Sequence, residues 1–100
     1  MKQDIFDEYV EKVSYLFRIK KKHLFNNCKK QDYVDARYLL YYLCSLRPMR
    51  VKTIQGYMKA NGYDVPHSIV CRGISVFAEK IQQDRDYQNL VRDIQNSITI

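Results

Sequence analysis

Asp64-Val65-Pro66-His67-Ser68-Ile69-Val70-Cys71-Arg72-Gly73-Ile74-Ser75-Val76-Phe77 is the stretch on which the reading of this chain turns. Pro66 suits the first position of a helix, where its missing N–H removes nothing and its fixed φ is already helical. From there Ile69, Val70, Gly73, Ile74 and Phe77 recur at three- and four-residue intervals and mark a buried side. His67, Ser68 and Arg72 project from the first two turns. A helix that opens with hydrogen-bonding side chains on a basic domain matches the pattern of a DNA-reading helix. A core helix whose polar residues are merely solvated matches it equally well.

Outward from that stretch, apolar periodicity predicts helices on both sides. Ile5, Phe6, Tyr9, Val10, Val13, Leu16 and Phe17 form one stripe over residues 4–18, with Asp4, Asp7, Glu8 and Glu11 early, where the helix dipole favours acids. Leu24 and Phe25 can dock a short turn over 20–25, which Asn26 and Asn27 end. Asp32 fits the N-cap of a helix over 33–46, with Asp35 three residues on in the manner of a capping box. Val34, Leu39, Leu40, Tyr42, Leu43 and Leu46 give that helix broad apolar coverage, so it is expected at the centre. Pro48 breaks the chain. Val51, Ile54, Tyr57 and Met58 predict a helix over 51–60, Asn61-Gly62-Tyr63-Asp64 a turn, and 66–82 the organising helix. A last helix, 84–98, starts at Asp84 and buries Tyr87, Leu90, Val91, Ile94 and Ile98. The fold class is therefore all-α, a compact bundle of five to six helices in one domain spanning 1–100. The order helix, turn, helix near 51–82 suits a helix-turn-helix.

Charge is concentrated in the middle of the chain. The net charge is +6, but residues 17–72 hold twelve Lys/Arg against three acids (Asp32, Asp35, Asp64), and both end segments are slightly acidic. That is the footprint of a polyanion-binding face, with a generic basic surface as the plainer reading. Lys20, Lys21, Lys22, Lys29 and Lys30 fall on two connectors, where exposed lysines suit phosphate contacts. Arg50, Val51, Lys52 and Thr53 open a helix, whose free N–H groups and positive dipole end can receive a phosphate. Arg37 stands in an otherwise hydrophobic stretch. It either pairs on the surface with Asp32 or Asp35 or is held at the edge of the basic face to reach a groove. His23 has no second residue at metal-ligand spacing and reads as a surface or half-buried histidine.

Other classes are set aside. Cys28, Cys44 and Cys71 are widely spaced without a CxxC pair, so reduced, buried thiols are expected and neither disulfides nor a metal site. There is no run of 18 apolar residues to span a membrane, and the acidic start lacks the apolar segment of a signal peptide. A cytoplasmic, nucleoid-associated protein is the expectation. No nucleophile–base or carboxylate pair suggests an enzyme. No Gly-x-x-x-x-Gly-Lys-Ser/Thr loop is present to cradle ATP, so no cofactor is expected.

Four stretches carry a family likeness. They are the opening helix Tyr9-Val10-Glu11-Lys12-Val13-Ser14-Tyr15-Leu16-Phe17-Arg18-Ile19-Lys20 with Leu24-Phe25; Ala36-Arg37 followed by Tyr42-Leu43; Val51-Lys52-Thr53-Ile54; and His67-Ser68-Ile69-Val70. In order and spacing the chain resembles, over nearly its whole length, the C-terminal DNA-binding domain (domain IV) of the bacterial replication initiator DnaA, of the TrpR-like helix-turn-helix superfamily. The resemblance implies that Arg37 enters the minor groove. It implies that His67 and Ser68 face base edges in the major groove, that Ile69 occupies the place of a threonine touching a thymine methyl, and that Arg72 lies on the same exposed side. Lys22, Lys29, Lys30, Arg50, Val51, Lys52 and Thr53 are then the expected phosphate contacts. Departures are Val65-Pro66 where the family has Arg-Asp, a turn about four residues longer, and Gln55 in place of Gly.

The leading expectation is thus a double-stranded DNA-binding protein, monomeric on DNA, acting in replication or transcription with a possible protein partner. Because Met1 falls just before the first helix, a complete small product of a phage or mobile element is expected. The alternative is a helical interaction or structural module that keeps the fold without base reading. For it speak Val65, Pro66, Ile69 and the tyrosines Tyr33, Tyr38, Tyr41 and Tyr42.

Overall fold

The computed structural model describes residues 2–98. Among the described residues the secondary structure is helical, without strands: α1 (Lys2–Phe17), a 3-10 turn (Lys21–Leu24), α2 (Gln31–Leu46), α3 (Val51–Ala60), α4 (His67–Gln83) and α5 (Arg85–Ser97). These limits lie within two residues of those read from periodicity, and they confirm the all-α class.

α2 is the central element. It packs against α1, the 3-10 turn, α3 and most extensively α4. Ala36, Leu39, Leu40, Tyr41, Leu43 and Cys44 are buried along it, and they share one core with Phe6, Tyr9 and Val13 of α1, Ile54 and Met58 of α3, and Val70 and Phe77 of α4. Each fully buried Leu or Phe contributes about 1.5–3 kcal/mol. The α2–α4 crossing is close because of Gly73. A Cβ built there would sit 2.8 Å from Tyr38 Cδ1 and 2.9 Å from Tyr41 Cδ2. α5 docks on α4 through Phe77 and Tyr87, edge to face at 5.4 Å between centroids, with the Lys80 ammonium over both rings.

The helix ends explain the connections. α3 closes in a Schellman arrangement, with Tyr63 N–H donating to Met58 O and Gly62 N–H to Lys59 O while Gly62 takes φ +103°. α1 ends the same way, with Ile19 N–H to Ser14 O and Arg18 N–H to Tyr15 O, but the left-handed position is filled by Arg18 at φ 54°. Asp84 caps α5 as expected, its carboxylate accepting from the N–H groups of Asp86 and Tyr87. The connection between α3 and α4 is residues 61–66, longer than the three or four residues of a common helix-turn-helix turn.

Several local expectations are corrected. α2 begins at Gln31 with Lys30 at the N-cap and no side-chain cap, so Asp32 lies inside the first turn. Asp35 instead accepts from Gln31 Nε2 at 2.8 Å. Pro66 is the N-cap of α4 rather than its first helical residue. Leu16 and Leu46, expected inside, are 38% and 42% exposed. Of the three cysteines only Cys44 is buried; Cys28 is exposed and Cys71 half-buried, all as free thiols. Among the described residues no helix is long and apolar enough to cross a membrane.

Candidate nucleic-acid interface

The basic connector is tied to the bundle by Arg37. That side chain is only 5% exposed. Its Nη1 donates to the carbonyl of His23 at 3.0 Å, and its Nη2 donates to the carbonyl of Cys28. Rising from α2, one guanidinium thus holds both ends of the segment 23–28. Asn26 shapes the segment from within: its Nδ2 donates to Lys22 O at 3.0 Å and its Oδ1 accepts from Cys28 N–H at 2.9 Å. Of the two expectations for Arg37, pairing with Asp32 or Asp35 is corrected, because its terminal nitrogens donate to main-chain carbonyls instead; the side chain is held rigidly at the edge of a groove.

The lysines stand outside that clamp. Lys20, Lys21, Lys22, Lys29 and Lys30 are exposed, and Lys21 pairs with Glu11. His23 stacks on Tyr33 at 4.2 Å with 8° between the rings, and the Lys30 ammonium lies 5.3 Å from the Tyr33 centroid. Desolvation, then the charges of Lys22, Lys20 and Lys30, push the His23 pKa below its ordinary value.

α4 presents its first turns beside the connector. His67, Ser68 and Arg72 are exposed, and Cys71 Sγ lies 3.5 Å from His67 Nδ1. Ile69 is half-buried against the core, so it lines a wall rather than standing clear as a base-contacting side chain. Arg72 and Ile69 of α4, Arg37 and Tyr38 of α2, Asn27 and Lys29 of the connector, with Val34 and Tyr63, surround one groove of about 360 Å³. The fold therefore brings Lys29, Arg37 and Arg72 together, although 43 positions separate the first from the last in sequence.

Arg50, Val51, Lys52 and Thr53 are not part of that groove. They open α3, whose ten residues place them about 15 Å along the helix axis from the turn that contains Tyr63. α3 and α4 both start without a side-chain cap, so first-turn N–H groups remain available to an external acceptor. Arg50 and Lys52 are exposed there, while Val51 and Thr53 are half-buried.

Val65 and Gln55 have structural roles of their own. Val65 is fully buried, and Gln55 Nε2 donates to its carbonyl at 2.9 Å, fastening the 61–66 connection to α3. The tyrosines do not form a free patch. Tyr41 is buried, Tyr38 lies against Gly73, and Tyr33 is covered by His23. The exposed aromatic residue is Tyr15, 88% accessible on α1, which the periodicity left unremarked. Comparison with family models, with curated proteins and with solved structures found no match to this chain.

Proposed function

We propose that this chain is a double-stranded DNA-binding domain of the initiator-type helix-turn-helix kind. The observation that carries the reading is a juxtaposition: a lysine-rich connector, held by a buried arginine, lies against the first turns of α4, whose His67, Ser68 and Arg72 stay exposed. In this reading α4 enters the major groove, about 12 Å wide, and His67 and Ser68 meet base edges. Lys22, Lys29, Lys30 and the open N-terminus of α3 with Arg50 and Lys52 grip phosphates on either side. A replication or transcription role belongs with this proposal, as does the likeness to domain IV of DnaA. Arg37 then acts through the connector it holds, not as a minor-groove probe.

The test is fluorescence anisotropy with a random duplex and a duplex carrying an initiator box, each at two salt concentrations. Expected are steep salt dependence and a preference for one duplex. His67→Ala should lose about 1–3 kcal/mol on the preferred duplex alone. Lys29→Ala should weaken both duplexes alike and reduce the salt slope by about one unit. Absence of binding at low salt overturns the proposal.

A second reading has its own observation. Tyr15 and Leu16 are exposed side by side on α1, and Leu16 lines a shallow apolar surface with Phe17, Tyr87 and Leu90 of α1 and α5. A helical module that docks a protein there would leave the α4 face free. A stable complex that survives Lys29→Ala and fails on Tyr15→Ser would favour it.

A further inference from the structure

The groove between the connector, α2 and α4 contains a positive charge that the fold itself leaves unneutralised. Arg37 is more than nine-tenths buried, and it donates to the carbonyls of His23 and Cys28. Carbonyls satisfy N–H groups but bring no opposite charge, and a buried charge without one is unfavourable. Among the described residues no carboxylate forms an ion pair with it. The groove that Arg37 lines carries Lys29 on the connector wall and Arg72 on the α4 wall, with Asn27 beside them and no Asp or Glu. Val34 and Ile69 make the rest of the lining partly apolar, which strengthens any charge interaction formed inside. Its volume, about 360 Å³, equals roughly a dozen waters at ~30 Å³ each. That is room for a phosphate and an adjoining sugar, not for a base pair with its backbone.

We infer that this groove is a phosphate site in which Lys29 and Arg72 together hold the free oxygens of one phosphodiester, with Arg37 as a positioning residue whose fixed charge lies behind them. The assignment rests on the DNA reading for the source of the phosphate, which is the polynucleotide backbone rather than a free phosphate. It reassigns Arg72 from base reading to backbone binding. Lys29 and Arg72 are both exposed, so their long side chains can close on a ligand without disturbing the core, and their removal leaves the fold intact.

The experiment has two arms on the full chain. In the first, amide NMR spectra are followed during titration with inorganic phosphate against sodium chloride at matched ionic strength. In the second, duplex affinity is measured for the parent, Lys29→Gln, Arg72→Gln and the double variant. Expected in the first arm are saturable shifts at Asn27, Lys29 and Arg72 that the double variant lacks. Expected in the second is a loss of about tenfold for each single variant on every duplex, the size of a charge-assisted hydrogen bond. The double variant should stay within about threefold of the singles, because both cations serve one phosphate. Should Arg72→Gln change the preference between duplexes, and the two losses multiply, Arg72 reads a base; the phosphate site is overturned while DNA binding stands. Phosphate shifts no larger than those of chloride, with variant affinities unchanged, also overturn it. Saturable phosphate shifts in a protein that binds no duplex keep the groove, remove the DNA reading and identify a small free phosphate as the source.

Discussion

Arg37 shows how one residue's role depends on what surrounds it. A lone arginine in a hydrophobic helix reads as an outlier placed for a ligand. In the folded chain it is the fastener of segment 23–28, donating to the carbonyls at both ends. Arg37→Ala should therefore lower stability by about 3 kcal/mol, since two main-chain carbonyls lose charged donors and the space filled by a buried side chain empties. The urea midpoint measures this, and amide exchange should quicken in the connector. A loss within about 0.5 kcal/mol, the range of ordinary surface changes, would refute the clamp. His67 and Ser68, by contrast, are exposed, and their substitution should leave the midpoint in place.

At the level of elements, the close α2–α4 crossing and the start of α5 are the places where single changes have a calculable effect. Gly73 and Gly56 both lie within helices, where alanine is favoured by about 1 kcal/mol. At Gly56 an added Cβ meets nothing within 4 Å, so Gly56→Ala should stabilise by 0.5 to ~1 kcal/mol. At Gly73 it meets the rings of Tyr38 and Tyr41 below 3.0 Å. There overpacking of about 1–3 kcal/mol outweighs the propensity gain, and Gly73→Ala should destabilise. Thermal melts of the pair, run together, should move in opposite directions. Asp84→Ala removes the acceptor for Asp86 and Tyr87 N–H and should lose about 1 kcal/mol. Because α5 packs mainly on α4, amide exchange should show the loss concentrated in α5.

For the whole molecule, charge distribution links stability to pH and, on the proposed DNA reading, affinity as well. His23 sits among Lys20, Lys22 and Lys30, and desolvation followed by those charges depresses its pKa. The unfolded chain, with its ordinary histidine near 6.5, binds the proton more readily. The neutral ring's contribution to stability is thus fully present above that value and is lost as pH falls through the lower folded pKa. A polyanion that neutralises the lysines removes their share of the depression and favours the protonated ring relative to the free protein. Duplex affinity should therefore rise as pH falls from 7.5 to 6.0, and His23→Gln should flatten the profile. An unchanged profile in His23→Gln would place the pH response elsewhere. The described residues have a radius of gyration of 12.3 Å, close to the ~13 Å of a packed domain of this length, so the acidic ends and the basic middle are folded into one body.

The sequence by itself determined the helices and their limits. Apolar residues at helical spacing, Pro48, the Asn61-Gly62 turn and Asp84 are local signals, and backbone hydrogen bonding within a helix is satisfied locally. It also determined where along the chain the positive charge lies. What only the tertiary structure decided are relations between distant residues: that Arg37 spends its donors on His23 and Cys28, that Gln55 fastens the carbonyl of buried Val65, and that Lys29 and Arg72 face one groove. Leu46 is exposed and Tyr41 buried for the same reason. Periodicity assigns a face, but whether that face is covered depends on which other elements pack against it. Pairings across many residues are set by the packing of α2 against α4, and no local spacing encodes them.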